Sequence, residues 1–330
     1  MMDLLLFRFP GSEINELNGT LSHLDEVTKK DENSNLSGFI FTNFDNSSCY
    51  LFTPNSESKD INYSLHFQKD KPFIISKEDY LFQATEFLSE IKNNHIGKAI
   101  LSRIKKEVFD HSKTIQLFHQ LCETYPEALV YLLSSELTGT WIGASPEVLI
   151  ETDDDILYTM ALAGTKKDAK TEWTEKEMEE HELVADFIVD QLKSFELDNI
   201  ESVGPYEYEA GPVTHLRTNI NAELFGNSPW KIGKSLHPTP AVSGMPRDEA
   251  LKLISKTEKH KRDLYAGILG VLDPETTRLF VNLRCAQIQE NEIFLYVGGG
   301  FTSQSIPLDE WNETENKSKT LLNVINNLID

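Results

Sequence analysis

Residues 128–163 contain four short apolar segments in succession, with no helical period between them: Ala128–Ser134, Thr140–Ala144, Val148–Glu151 and Ile156–Ala163. A second run follows later, through Val213–Leu224, Tyr265–Leu272, Leu279–Gln287 and Ile293–Val297. Helical patterns lie between the runs and do not alternate with single strands. Ser76 opens a helix in which Leu81, Ala84, Leu88 and Ile91 recur at helical spacing. Further helices are predicted near 112–124, from Thr174 to about Phe195, over 228–236 and 247–257, and from about Leu308 onward. Strands grouped in this way predict an α+β fold, a large single domain of mainly antiparallel sheets flanked by helices. Residues 76–330 are expected to form the catalytic region. Residues 1–75, where only Gly38–Phe44 reads clearly as a strand, are expected to be the N-terminal part of the same fold.

Composition narrows the partners. The 330 residues carry a formal net charge of −22, which argues against nucleic acid and against an anionic membrane as binding surfaces. No apolar stretch reaches the length of a membrane span, and the opening Leu4-Leu5-Leu6 run lacks the basic start of a signal peptide. Three widely spaced cysteines, Cys49, Cys122 and Cys285, fit reduced thiols, so a cytoplasmic location is expected.

Several residues could carry chemistry, and each has a plain structural alternative. Glu177 and Glu180 are three apart near a helix start, so both could approach one hard cation, yet Thr174-x-x-Glu177 also reads as a capping box. Glu310 and Glu313 repeat the spacing at the start of the last helix, where acids are favoured in any case. One acid from each helix would suit Mg²⁺. Lys98 begins an apolar strand, where a lysine is usually just solvated. Glu147 follows Pro146 at a junction of two strands; it is either a surface turn or a general acid held protonated by an apolar wall. Arg284 is read as lying within a strand, needing an anionic partner that could be a substrate carboxylate or a structural acid. Lys317 stands at i+4 from Glu313, as in an ordinary helix pair. Gly298-Gly299-Gly300 and Gly164 are read as removing side chains where strands end, so that amides could approach an anion. His215, mid-strand in Val213-Thr214-His215-Leu216, could equally be a satisfied face histidine.

The order of these pieces is more specific than any one of them. Lys98-Ala99-Ile100-Leu101-Ser102-Arg103, Gly143-Ala144-Ser145-Pro146-Glu147, Ala161-Leu162-Ala163-Gly164-Thr165 and Glu180-His181-Glu182-Leu183-Val184 resemble successive motifs of the chorismate-utilising enzymes. So do His215-Leu216, the His237–Pro246 loop, Leu283-Arg284-Cys285-Ala286, Gly298-Gly299-Gly300 and Glu310-Trp311-x-Glu313-Thr314-x-x-Lys317. The resemblance covers about residues 90–326 and implies a chorismate-binding fold. By that resemblance, Lys98 would be the base that activates water for attack at C2 of chorismate, and Glu147 the acid that protonates the departing C4 hydroxyl. Glu180 and Glu313 would bind Mg²⁺, supported by Glu177 and Glu310. The metal would hold the ring carboxylate near Gly164. Arg284, Lys317 and the amides near Gly298 would receive the enolpyruvyl carboxylate, and His215 would line the ring pocket.

Within the family, members that add ammonia usually have Gly-Thr where this chain has Pro240-Ala241. Ala241 therefore resembles the isochorismate synthases, which implies isomerisation of chorismate to isochorismate for menaquinone or a catechol siderophore, with no glutaminase subunit. The family alternatives are salicylate synthase, which tends to carry threonine at the alanine position, and an ammonia-dependent anthranilate or aminodeoxychorismate synthase component. Outside the family, a metal-dependent hydrolase would want histidine ligands, and only His181 and His215 lie near the motifs. A non-catalytic binding protein would be expected to have lost Lys98, Glu147 or a metal-binding glutamate.

Overall fold

The run Leu4-Leu5-Leu6-Phe7 is buried along its whole length, because both faces of the strand that carries it are covered. Leu5 and Phe7 point into one hydrophobic cluster, and Leu4 and Leu6 into another. In the computed structural model, residues 2–24, 37–55, 61–166, 172–210, 213–273 and 275–328 are described. Strand β1 (Asp3–Arg8) lies mid-sheet, followed by β2 (Asn15–His23), β3 (Gly38–Thr42) and β4 (Cys49–Pro54). Helix α1 (Lys77–Asn93) is capped by Ser76, whose hydroxyl accepts from the Asp79 amide at 3.1 Å, and buries Tyr80, Ala84, Phe87 and Ile91.

The chain continues through β5 (Lys98–Val108), α2 (Thr114–Thr124), β6 (Leu129–Ser135), β7 (Gly139–Ser145), β8 (Val148–Asp153), β9 (Ile156–Lys166) and α3 (Glu175–Lys193). Next come β10 (Asp198–Ala210), β11 (Val213–Glu223), α4 (Pro229–Leu236), β12 (Gly244–Met245) and α5 (Arg247–Thr257). It closes with β13 (Ile268–Leu272), β14 (Arg278–Val281), β15 (Cys285–Ile288), β16 (Glu292–Phe301) and α6 (Pro307–Asn327). The sixteen strands follow the order β10-β11-β9-β8-β14-β13-β3-β4-β2-β1-β6-β7-β15-β16-β5-β12, and neighbours such as β1 and β6, β5 and β16, and β9 and β11 are antiparallel. No helix among the described residues is long and apolar enough to cross a membrane.

The sheet folds back on itself. Strands β7 and β8 are far apart in this order, as are β14 and β15, yet only residues 146–147 and 282–284 join them. At about 3.3 Å per extended residue, such links span only about the 10 Å that separates two packed sheets. The far strands must therefore be layered on the near ones, with Phe7, Phe39, Phe41, Trp141, Phe280 and Tyr296 among the residues buried between them. Helices α2 and α6 cover the outer face of β1, β6, β7, β15 and β16, while α1 and α5 pack around Phe301.

Three sequence readings are corrected, the first being Gly164, which lies inside β9 as part of a bulge and not where the strand ends. Leu279–Gln287 is two strands, interrupted at Asn282-Leu283-Arg284 where the chain changes layers. Arg284 therefore lies in the link and not within a strand, with φ +50° in the left-handed region. Gly298–Gly300 does not end a strand, because β16 runs through Phe301 and pairs those glycines with Ser102, Leu101 and Ile100.

Candidate active site

The two layer-changing links bring Glu147 and Arg284 together. Val281 N donates to Glu147 O at 2.9 Å and Ala144 N to Arg284 O at 3.1 Å. Ser145 Oγ donates to Val281 O and accepts from Leu283 N at 3.3 Å. Buried Asn282 anchors the second link, taking the Tyr131 hydroxyl at 3.0 Å and donating to Leu264 O at 2.8 Å. The Glu147 side chain borders a small, mainly apolar cavity with Leu149, Met160, Leu162, Pro240 and Ala241. Burial pushes its carboxyl up from the ordinary range, and it does so against the opposing pull of Lys98, Thr239, Arg284 and Lys317. Three cations thus lie near enough to act on one reluctant acid.

Lys98 stands at the first position of β5, where it pairs with Met245 of β12. The His237–Pro246 loop is held against that strand by Ile100 N to Ser243 O at 3.0 Å, and by Arg262, which donates to both Val242 O (2.8 Å) and Ile100 O (3.0 Å). Thr239 of the same loop reaches Glu147 Oε1 at 3.5 Å, a long and weak hydrogen bond. Half-buried Ala241 lies two residues further along.

The three glycines of β16 make room for side chains of neighbouring elements. A Cβ at Gly300 would lie 3.0 Å from Lys98 Cε, one at Gly299 would lie 3.0 Å from Glu310 Oε2, and one at Gly298 would lie 2.8 Å from the Tyr265 hydroxyl. Ile100 and Ser102 of β5 turn their amides away from β16, to Ser243 O and to Glu258 Oε1. The backbone groups of Gly298 and Gly300 consequently point to the opposite side, and there Gly298 O takes the Lys317 ammonium at 2.8 Å. Lys317 also pairs with Glu313 at 2.7 Å. Burial lowers the Lys317 pKa, opposed by Glu313 and reinforced by Arg284 and Lys98. Arg284, Lys317 and Gly298 thus lie near one another, and Tyr265, which sequence reasoning did not single out, stands beside them.

Gly164 has φ +69° and is the extra residue of a bulge, since His215 faces Thr165 while Leu216 faces Ala163. Its carbonyl accepts from His215 Nδ1 at 3.1 Å, which leaves Nε2 as the acceptor nitrogen of a neutral ring. Burial lowers the His215 pKa, and Lys317, Lys98 and Arg284 add to the effect.

The acidic pairs differ. Glu310 is buried; its Oε1 accepts from Ser305 Oγ at 2.7 Å, and Oε2 has no hydrogen-bond partner. Burial and neighbouring Glu313 raise its pKa. An orphaned buried carboxylate oxygen beside a second carboxylate one turn along fits a hard cation ligated by oxygen. Glu177 instead closes the capping box, its Oε2 accepting from Thr174 N at 2.9 Å, so the capping alternative describes it. The Glu180 side chain lies outside the described residues. Among those described, no group of three or more His, Cys, Asp or Glu is arranged around one ion.

Several known proteins are similar to this chain. Isochorismate synthase MenF of Haemophilus influenzae is 30% identical over 264 residues, covering 74% of this chain and 59% of that protein. Isochorismate synthase EntC of Escherichia coli is 32% identical over 243 residues, covering 69% and 62%. The chain therefore spans only about three fifths of the length of these relatives. The solved structure of DhbC from Bacillus anthracis superimposes with a TM-score of 0.77 at 25% identity, over 98% of this chain and 96% of that one. A model of the chorismate binding enzymes matches residues 34–326, a span holding every candidate residue from Lys98 to Lys317, and the chain belongs to that family.

Proposed function

We propose that this protein is an isochorismate synthase, adding water at C2 of chorismate and releasing the C4 hydroxyl. The observation that carries the proposal is Glu147, an acid that burial keeps prone to protonation, within electrostatic reach of Lys98. Adding water at one ring carbon and losing hydroxide from another needs a base and an acid poised at the same pH. Lys98 takes the proton from the attacking water. Glu147 gives its proton to the departing oxygen, and the apolar cavity beside it disfavours the carboxylate until that moment. His215 is neutral and accepts through Nε2, which suits a substrate hydroxyl in the ring pocket.

Chorismate carries two carboxylates, and the site has two places for them. Arg284 and Lys317, beside the Gly298 backbone, hold the enolpyruvyl carboxylate through charge-assisted hydrogen bonds. The ring carboxylate is held at the acidic end, where Glu310 and Glu313, with Glu180 contributed by α3, would bind Mg²⁺. The ion would supply a charge clamp that lets a carboxylate approach carboxylates. Ala241, where ammonia-adding members usually carry threonine, favours water as nucleophile, and this reading requires no glutaminase subunit.

Lys98→Ala tests the base. Turnover of chorismate is expected to fall by about 10²- to 10⁴-fold, the usual worth of a positioned general base. Retention of most of the parent's kcat by a folded variant would remove Lys98 from the mechanism.

A further inference from the structure

The guanidinium of Arg103 is buried, with its side chain 3% exposed, five residues along β5 from Lys98. A buried charge must be fully engaged, and this one is engaged almost wholly by α6. It stacks on Trp311 with 3.7 Å from Cζ to the ring centroid. Its Nε donates to Thr314 Oγ1 at 2.8 Å, and its Nη2 to Glu315. Thr314 is fully buried and turns its own hydroxyl proton to Trp311 O at 2.7 Å. Tyr80 of α1 packs edge-on against the same indole at 5.2 Å.

On a helix of 3.6 residues per turn, Glu310, Glu313 and Lys317 form one stripe, and Trp311, Thr314 and Glu315 form the stripe beside it. Arg103 grips the second stripe at three points, which fixes both the rotation of α6 and its position along its axis. The first stripe is thereby set against β16, with Glu310 on Gly299 and Lys317 on Gly298 O. We propose that Arg103 is a positioning residue for the cation site, joining the strand that carries Lys98 to the helix that carries Glu310 and Glu313. The inference rests on the reading of those glutamates as Mg²⁺ ligands. Lysine would not substitute, because it lacks the planar face for Trp311 and the fixed Nε donor for Thr314.

The test is a thermal-shift titration of the full chain with MgCl₂ alone, comparing the parent, Arg103→Lys and Thr314→Val. Metal binding to the folded state raises Tm with concentration, giving an apparent Kd without reference to activity. Arg103→Lys is expected to weaken that Kd by about 10- to 100-fold, as loss of groups supporting metal ligands does. Thr314→Val, which removes one contact in a near-isosteric way, is expected to weaken it less. Variants that lower the metal-free Tm but keep the parent's Kd within about twofold would overturn the inference, since a merely structural arginine would behave so. A parent whose Tm does not respond to Mg²⁺ would defeat the metal reading itself, and this inference with it.

Discussion

Glu147 and Arg284 stand on two chain links that pass between the same two sheet layers and hold each other in place. Val281 N bonds to Glu147 O at 2.9 Å and Ala144 N bonds to Arg284 O at 3.1 Å. The acid and the guanidinium are therefore delivered to one space by a single piece of backbone architecture. Their relative position depends on links of two and three residues, which have little room to adjust.

Arg284 holds a left-handed backbone, φ +50°, which an arginine adopts at a cost and a glycine adopts freely. Arg284→Gly and Arg284→Ala should both raise KM for chorismate by about 10- to 100-fold, the worth of a lost charge-assisted hydrogen bond. Thermal melts should separate them, with the glycine variant the more stable. Equal stability would show that the link, and not this residue, sets the conformation.

Glu147 has a folded-state pKa above its ordinary 4.5 because burial disfavours the carboxylate. Such a group binds its proton more tightly when folded, so stability declines as pH rises from the ordinary value through the raised one. Glu147→Gln should accordingly raise Tm at neutral pH, with the gain fading as pH falls through the raised pKa and gone below about 4.5, while kcat drops by about 10²- to 10⁴-fold. In the parent, activity should be lost as pH rises through the Glu147 pKa, and the glutamine variant should lack that limb. A variant less stable than the parent at neutral pH would mean that Lys98, Arg284 and Lys317 outweigh burial.

The neighbouring glycines should have different phenotypes. Gly300→Ala presses a methyl toward Lys98 Cε, so kcat should fall by up to about tenfold with the metal requirement unchanged. Gly299→Ala presses on Glu310 Oε2, so the Mg²⁺ concentration for half-maximal rate should rise instead. Measuring rate against Mg²⁺ for both variants tests whether the two glycines serve different halves of the site. Identical effects would point to general distortion of β16.

Much of this was legible from residues. Ser76 as a cap, the Thr174 capping box and the helix from about Leu308 all follow from local spacing, and the structure places them within a residue or two. Three N-terminal strands were not. β1 is covered on both faces and so shows no alternation, while β2, Asn15-Glu16-Leu17-Asn18-Gly19, is polar enough to read as loop. β10 carries an internal Pro205 and several acids, and it lies at the end of the strand order, where a ladder can tolerate them. The break at Asn282-Leu283-Arg284 is invisible to a period-two pattern, because the alternation persists while the chain changes layer. The glycine triplet misleads for a related reason. Local sequence reads glycines as a turn, whereas their cause lies in Lys98, Tyr265 and Glu310 on other elements.

The most direct test is chromatographic analysis of products after incubating the purified protein with chorismate and Mg²⁺, with and without ammonium and with and without EDTA. The account expects isochorismate as the product, unchanged by ammonium, abolished by chelation and restored by added Mg²⁺. Salicylate with pyruvate, an aminated product, or no turnover by the folded protein would contradict it.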